Sequence, residues 1–139
     1  NRVDAKRISD WGADLVISAL PIEDLNSRGA RDLPIWLKDL SVPWLLLPIP
    51  DWQAPDADFD EAWKTHGPET AAILSGGGKV FVHCMAGLGR SGTVVARLLI
   101  DRGISVDQAI QVARTARPGA VEAKAQEDYL LKVWSGVKG

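Results

Sequence analysis

Lys79-Val80-Phe81-Val82-His83-Cys84-Met85-Ala86-Gly87-Leu88-Gly89-Arg90-Ser91-Gly92-Thr93 carries the reading of this chain. Residues 79–82 have the β-branched and aromatic content of a buried strand, and residues 93–100 are an apolar run of helix length. Between them the chain's single cysteine and an arginine stand at the two ends of a glycine-rich turn. The stretch therefore predicts strand, turn and helix in succession, the repeating unit of an α/β sheet.

A turn of this kind aims several backbone N–H groups at one centre, and the helix behind it adds the positive end of its dipole, so the concavity attracts an anion. Gly87, Gly89 and Gly92 let the backbone turn sharply or pack closely at little steric cost. The same field favours the thiolate of Cys84. Five residues, Met85, Ala86, Gly87, Leu88 and Gly89, separate Cys84 from Arg90, so the loop amides and the guanidinium can grip phosphate oxygens together. Cys84 then attacks and Arg90 holds. Ser91 offers its hydroxyl to the sulfur when a phosphocysteine breaks down.

Cleavage of a phosphate ester also requires a proton for the departing oxygen. Asp51 offers one from Leu47-Pro48-Ile49-Pro50-Asp51-Trp52, a loop stiffened by prolines after the strand-like run 44–47. Asp56 and Asp58 are rivals. Asp58 is better read as a helix N-cap, with Glu61 completing a capping box.

His-Cys, five residues and Arg-Ser resembles the signature of the cysteine-dependent protein tyrosine phosphatases, here matched in full. The Ile49-Pro50-Asp51 stretch resembles that family's acid loop, 33 positions before the cysteine, a distance that suits the small dual-specificity branch. Pro48-Ile49-Pro50-Asp51 up to Pro55-Asp56, Gly87-Leu88-Gly89 and Arg117-Pro118-Gly119-Ala120-Val121-Glu122 are most similar to the kinase-associated phosphatases and their bacterial relatives. The resemblance covers residues 10–135. It implies that His83 braces the loop, although a hydrogen-bonded core histidine would look the same. It also implies that Gln126 aligns the hydrolytic water, a structural hydrogen bond being an equally good reading of its place on an inward stripe with Tyr129, Leu130 and Val133. Trp52 departs from the pattern, since relatives often carry glycine after the acid, and its indole reads as a wall for the substrate or an anchor for the loop. One or two strands commonly precede the first helix in such proteins, so the chain reads as one catalytic domain, residues 1–139, trimmed at its N-terminus.

Gly87-Leu88-Gly89-Arg90-Ser91-Gly92 also fits a dinucleotide fingerprint, but that motif needs a second strand ending in an acidic residue about 20 positions on. Asp107 stands instead at a helix start with Ser105 and Gln108 as its capping pair. A rhodanese-type sulfur transferase shares a cysteine at the base of an anion-binding loop but has no use for Asp51. A non-catalytic phosphate-binding module would usually have lost Cys84, Arg90 or Asp51, and all three remain.

Strands are expected at residues 14–18, 44–47 and 79–82, and helices at 6–11, 58–75, 90–102, 105–116 and 122–134. That alternation predicts a largely parallel sheet with helices on both faces. His66 reads as a helix-surface residue before a break at Gly67-Pro68, and Arg117 as the end of the helix from Ser105. The apolar content of 46% suits one α/β core at 139 residues. A net charge of −2 provides no basic surface for nucleic acid or an anionic membrane. The single cysteine fits a reducing, cytoplasmic setting. No metal or other cofactor is expected, because the loop supplies the charge. The expected partners are phosphorylated proteins or peptides, with phosphate or a similar oxyanion in the loop. Met85, Ala86 and Leu88 are uncharged, which disfavours highly phosphorylated inositol lipids.

Overall fold

Leu15-Val16-Ile17-Ser18 is almost continuously apolar, as a strand covered on both faces must be, and all four residues are buried. A computed structural model, which describes residues 2–27, 29–84 and 89–138, makes this run the central strand. In chain order the described elements are α1 (Arg2–Trp11), β1 (Leu15–Ser18), α2 (Ile22–Ser27), α3 (Leu33–Asp39) and β2 (Trp44–Leu46). They are followed by α4 (Ala57–Ser75), β3 (Val80–His83), α5 (Gly89–Asp101), α6 (Val106–Ala116) and α7 (Lys124–Lys138).

The three strands lie in the order β2-β1-β3. Both pairings are parallel, with Ser18 opposite Leu46 on one side and His83 on the other. Parallel neighbours need long crossovers, and the helices provide them on both faces. Leu15 and Ile17 point towards α4 and α5, where they meet Phe59, Trp63, Val94 and Leu98. Val16 and Leu20 point the other way, towards Ala5, Leu25, Leu33 and Leu37 of α1, α2 and α3. A third cluster, including Ile100, Val106, Val121 and Leu130, joins α5 to α6 and α7. All three strands therefore end on one side, where the cysteine and acid loops emerge.

The expected α/β architecture is the observed one, with local corrections. α1 begins at Arg2, not Lys6, and the short helices α2 and α3 occupy a stretch where none was expected. α4 is capped by Asp56 instead of Asp58 with Glu61. Asp56 has extended backbone (φ −99°, ψ −173°) and its carboxylate accepts from the Phe59 amide at 2.9 Å, whereas Asp58 lies inside the first turn, where its charge meets the helix dipole. Gly67-Pro68 does not break the helix. Gly67 is pressed so closely on Trp63 that an added Cβ would lie 2.5 Å from the indole nitrogen, and Thr70 Oγ1 donates to the His66 carbonyl at 2.7 Å. Packing outweighs the one backbone donor that Pro68 lacks. His66 sits on the surface beside Glu69. Ser105 caps α6 as expected, accepting from the Gln108 amide, and Arg117 is its C-cap.

Candidate active site

Cys84 follows directly on β3, so the sheet fixes where its sulfur stands. Sγ lies 3.5 Å from Ser91 Oγ, and the Ser91 amide donates to it at 3.4 Å. Ser91 is buried in the first turn of α5, so the amide that donates to the sulfur belongs to the positive end of that helix. Thr93 Oγ1 donates to the Gly89 carbonyl at 2.6 Å, which secures the same turn. Met85, Ala86, Gly87 and Leu88 lie outside the described residues.

Gly89 and Gly92 are needed for space. A Cβ on Gly92 would stand 2.4 Å from Ala120 Cβ, and one on Gly89 would stand 2.9 Å from both Glu122 Cβ and Gln126 Oε1. The segment Arg117-Pro118-Gly119-Ala120-Val121-Glu122 thus lies directly against the first turn of α5. Arg114 holds it there, donating to the carbonyls of Ala120 at 3.1 Å and Val121 at 2.8 Å. Val121 adopts a left-handed φ of 53°, unusual for a β-branched residue and a sign that its surroundings dictate the turn.

Arg90 is only 3% exposed. Its Nη1 donates to the Ile49 carbonyl at 3.1 Å and lies 3.5 Å from Asp24 Oδ2, while its Nε lies 3.7 Å from Asp51 Oδ1. A buried guanidinium needs such partners, because an unpaired charge in the interior is costly. The contacts aim Arg90 at the acid loop and bring Asp51 to the cysteine end of the sheet. Asp51 remains mostly exposed, and its Oδ1 accepts from the Trp52 amide. Trp52 is 60% exposed and has φ +62°, the left-handed conformation that glycine adopts without strain. Its ring therefore stands outside the core, unlike Trp63.

His83 connects this end of the sheet to the core. Its Nε2 lies 2.6 Å from Ser18 Oγ, which accepts from Trp44 Nε1 at 2.8 Å. Because an indole N–H can only donate, the hydroxyl proton is available to Nε2, an arrangement that suits a neutral ring. Burial pushes the His83 pKa below its ordinary value in the same direction. Gln126 is 1% exposed. Its Oε1 accepts from the Ala123 amide at 3.1 Å and its Nε2 donates to the Gln53 carbonyl at 3.1 Å.

The described structure thus brings together Cys84, Arg90, Ser91 and Asp51, with His83 behind and Gln126 beside them. Sequence reasoning missed Asp24, Ser18, Trp44 and Gln53. Ser18 carried one signal, a hydroxyl at the end of an otherwise apolar strand. The other contacts depend on the fold. A cavity of about 320 Å³ along β3, lined among others by Phe81, His83, Cys84 and Arg117, adjoins the site from the side of α6.

Residues 54–133 match the family described as dual specificity phosphatase, catalytic domain. The chain belongs to this family. Among curated relatives it is 34% identical to cyclin-dependent kinase inhibitor 3 of Rattus norvegicus over 128 residues, covering 78% of this chain and 59% of that protein. It is 48% identical to protein tyrosine phosphatase type IVA 3 of Homo sapiens over 56 residues, 40% of this chain and 32% of the relative. The chain therefore spans less than two thirds of either relative's length. Among solved structures, the active form of Tk-PTP superposes with a TM-score of 0.81 at 31% identity, covering 97% of this chain and 86% of that one. A kinase-associated phosphatase with its catalytic cysteine replaced by serine gives 0.85 at 24% identity, covering 99% and 78%, a likeness of fold. The expected branch, small dual-specificity phosphatases akin to the kinase-associated enzyme, is the one found.

Proposed function

We propose that this chain is one catalytic domain that hydrolyses phosphate monoesters, phosphotyrosine in proteins or peptides above all, with or without phosphoserine and phosphothreonine. The observation that carries this reading is the convergence of Cys84, Ser91, Arg90 and Asp51 at the ends of parallel strands. In the first step the Cys84 thiolate attacks phosphorus and the bond to the leaving oxygen breaks. Arg90 and the loop amides, to which Met85, Ala86, Gly87, Leu88 and Gly89 contribute, hold the remaining oxygens, and Asp51 gives its proton to the departing oxygen. In the second step Asp51 takes a proton from water as that water attacks phosphorus, and the S–P bond breaks to release phosphate. Ser91, 3.5 Å from the sulfur, donates to Cys84 as it leaves.

His83 serves as a neutral brace, and Trp52 as a wall beside the acid. No metal or other cofactor takes part in this scheme, since Arg90 and the amides already oppose the charge on phosphorus. No described helix is long and apolar enough to cross a membrane. A reducing, cytoplasmic setting is proposed because the chemistry depends on an unoxidised Cys84.

The test is hydrolysis of p-nitrophenyl phosphate with EDTA present, comparing wild type with Cys84→Ser and Asp51→Asn. The first variant should be inactive. The second should be slowed most for an ester whose leaving oxygen needs the proton, by about 10² to 10⁴-fold on phenyl phosphate, the usual contribution of a positioned acid, and less on p-nitrophenyl phosphate. Wild type that binds phosphopeptide but turns over no ester would overturn the reading in favour of a binding module.

A further inference from the structure

The acid loop is anchored on both sides of Asp51 at matching positions. Two residues before it, the Ile49 carbonyl accepts from Arg90. Two residues after it, the Gln53 carbonyl accepts from Gln126. Both donors are almost wholly buried, at 3% and 1% exposure, so losing either carbonyl would leave a buried N–H without its partner. The loop then ends at Asp56, which caps α4. Three residues along α7 from Gln126, Tyr129 donates to Asp60 on the first turn of α4 at 2.7 Å. Burial first, and then this bond, raise the Tyr129 pKa, which keeps its donor proton in place. One face of α7 therefore grips both the acid loop and the helix that follows it.

We propose that Gln126 is a positioning residue for proton transfer, tethering the acid loop so that Asp51 stands over the phosphate site. This rests on the phosphatase reading above. Its amide is oriented for the task, since Oε1 is occupied by the Ala123 amide and Nε2 thereby faces Gln53. Gly89 leaves the room, because a Cβ there would lie 2.9 Å from Gln126 Oε1. The tether thus touches the acid loop and the first residue of α5 at once.

The alternative, alignment of the hydrolytic water, acts in a different step. The ratio kcat/KM reports events up to and including phosphoryl transfer to Cys84, so a residue that acts only on the water lowers kcat and leaves kcat/KM unchanged. Asp51 matters most for leaving groups that need a proton. Gln126→Met keeps the length and volume of the side chain without the donor, and Gln126→Glu keeps an acceptor for Ala123 while setting an oxygen against the Gln53 carbonyl. Both should lower kcat/KM for phenyl phosphate by about tenfold or more, a part of the acid's full effect, and far less for p-nitrophenyl phosphate. Adding either change to Asp51→Asn should cause little further loss. Equal losses for both esters, a loss in kcat alone, or full additivity with Asp51→Asn would overturn the proposal.

Amide hydrogen exchange of residues 51–56 provides a readout free of turnover. It should quicken in both variants. If wild type hydrolyses neither ester, the phosphatase reading fails, and unchanged exchange would separately overturn the tether.

Discussion

Ser18→Ala should destabilise the fold well beyond what the loss of one oxygen at the surface would cause. Ser18 is fully buried on the central strand, and its hydroxyl is shared by Trp44 on β2 and His83 on β3. Alanine leaves both of those groups without their partner. An orphaned buried donor or acceptor costs about 1–3 kcal/mol. Trp44 and His83 are each only partly buried, so the lower part of that range applies, and the sum is about 2–3 kcal/mol. At this chain length that corresponds to a fall in Tm of roughly 6–12 °C. Calorimetry and urea unfolding would measure it. Trp44→Phe removes one of the same two bonds, so the double variant should fall short of the sum of the singles by about 0.5 kcal/mol or more. A Tm within about 2 °C of wild type, or strict additivity with Trp44→Phe, would refute the shared-hydroxyl argument.

Gly92→Ala should destabilise by about 1–3 kcal/mol, the usual penalty for overpacking, because the new Cβ would lie 2.4 Å from Ala120 Cβ and 2.8 Å from its Cα; thermal unfolding checks this, and kcat should fall with it as the first turn of α5 shifts. Burial lowers the His83 pKa from 6.5, so below about pH 6.5 the unfolded chain binds a proton that the folded chain resists. Its contribution to stability is then complete above that pH and declines as pH falls through it, by at most about 1.4 kcal/mol per unit. The difference in unfolding free energy between wild type and His83→Gln, followed from pH 8 to about pH 5, should show that slope, and a flat difference would count against a buried neutral ring.

Much of the architecture was legible because local and global signals agree. Apolar runs at β1 and β3 and the Ser105 cap each specify one outcome. The short helices α2 and α3 were not legible, since six and seven residues leave little periodicity to read. Asp56 and Asp58 compete for one cap, and loop geometry decided between them. At the site, the sequence displayed Cys84, Arg90, Ser91 and Asp51 because their chemistry depends on residue type and spacing. Asp24 and Gln53 act through a side chain and a carbonyl brought in from other elements, which no local pattern encodes. The role of Gly92 was only half readable, for the crowding comes from Ala120 across the fold.

The central claim is that Cys84 forms a covalent bond to phosphorus. Rapid quenching of the enzyme with p-nitrophenyl phosphate, followed by peptide mass spectrometry, tests it most directly. The expected result is one phosphoryl group on the peptide that contains Cys84, absent from Cys84→Ser and formed more slowly in Asp51→Asn. Sustained hydrolysis with no phosphorylated Cys84 in the wild type, or undiminished hydrolysis by Cys84→Ser, would contradict the account.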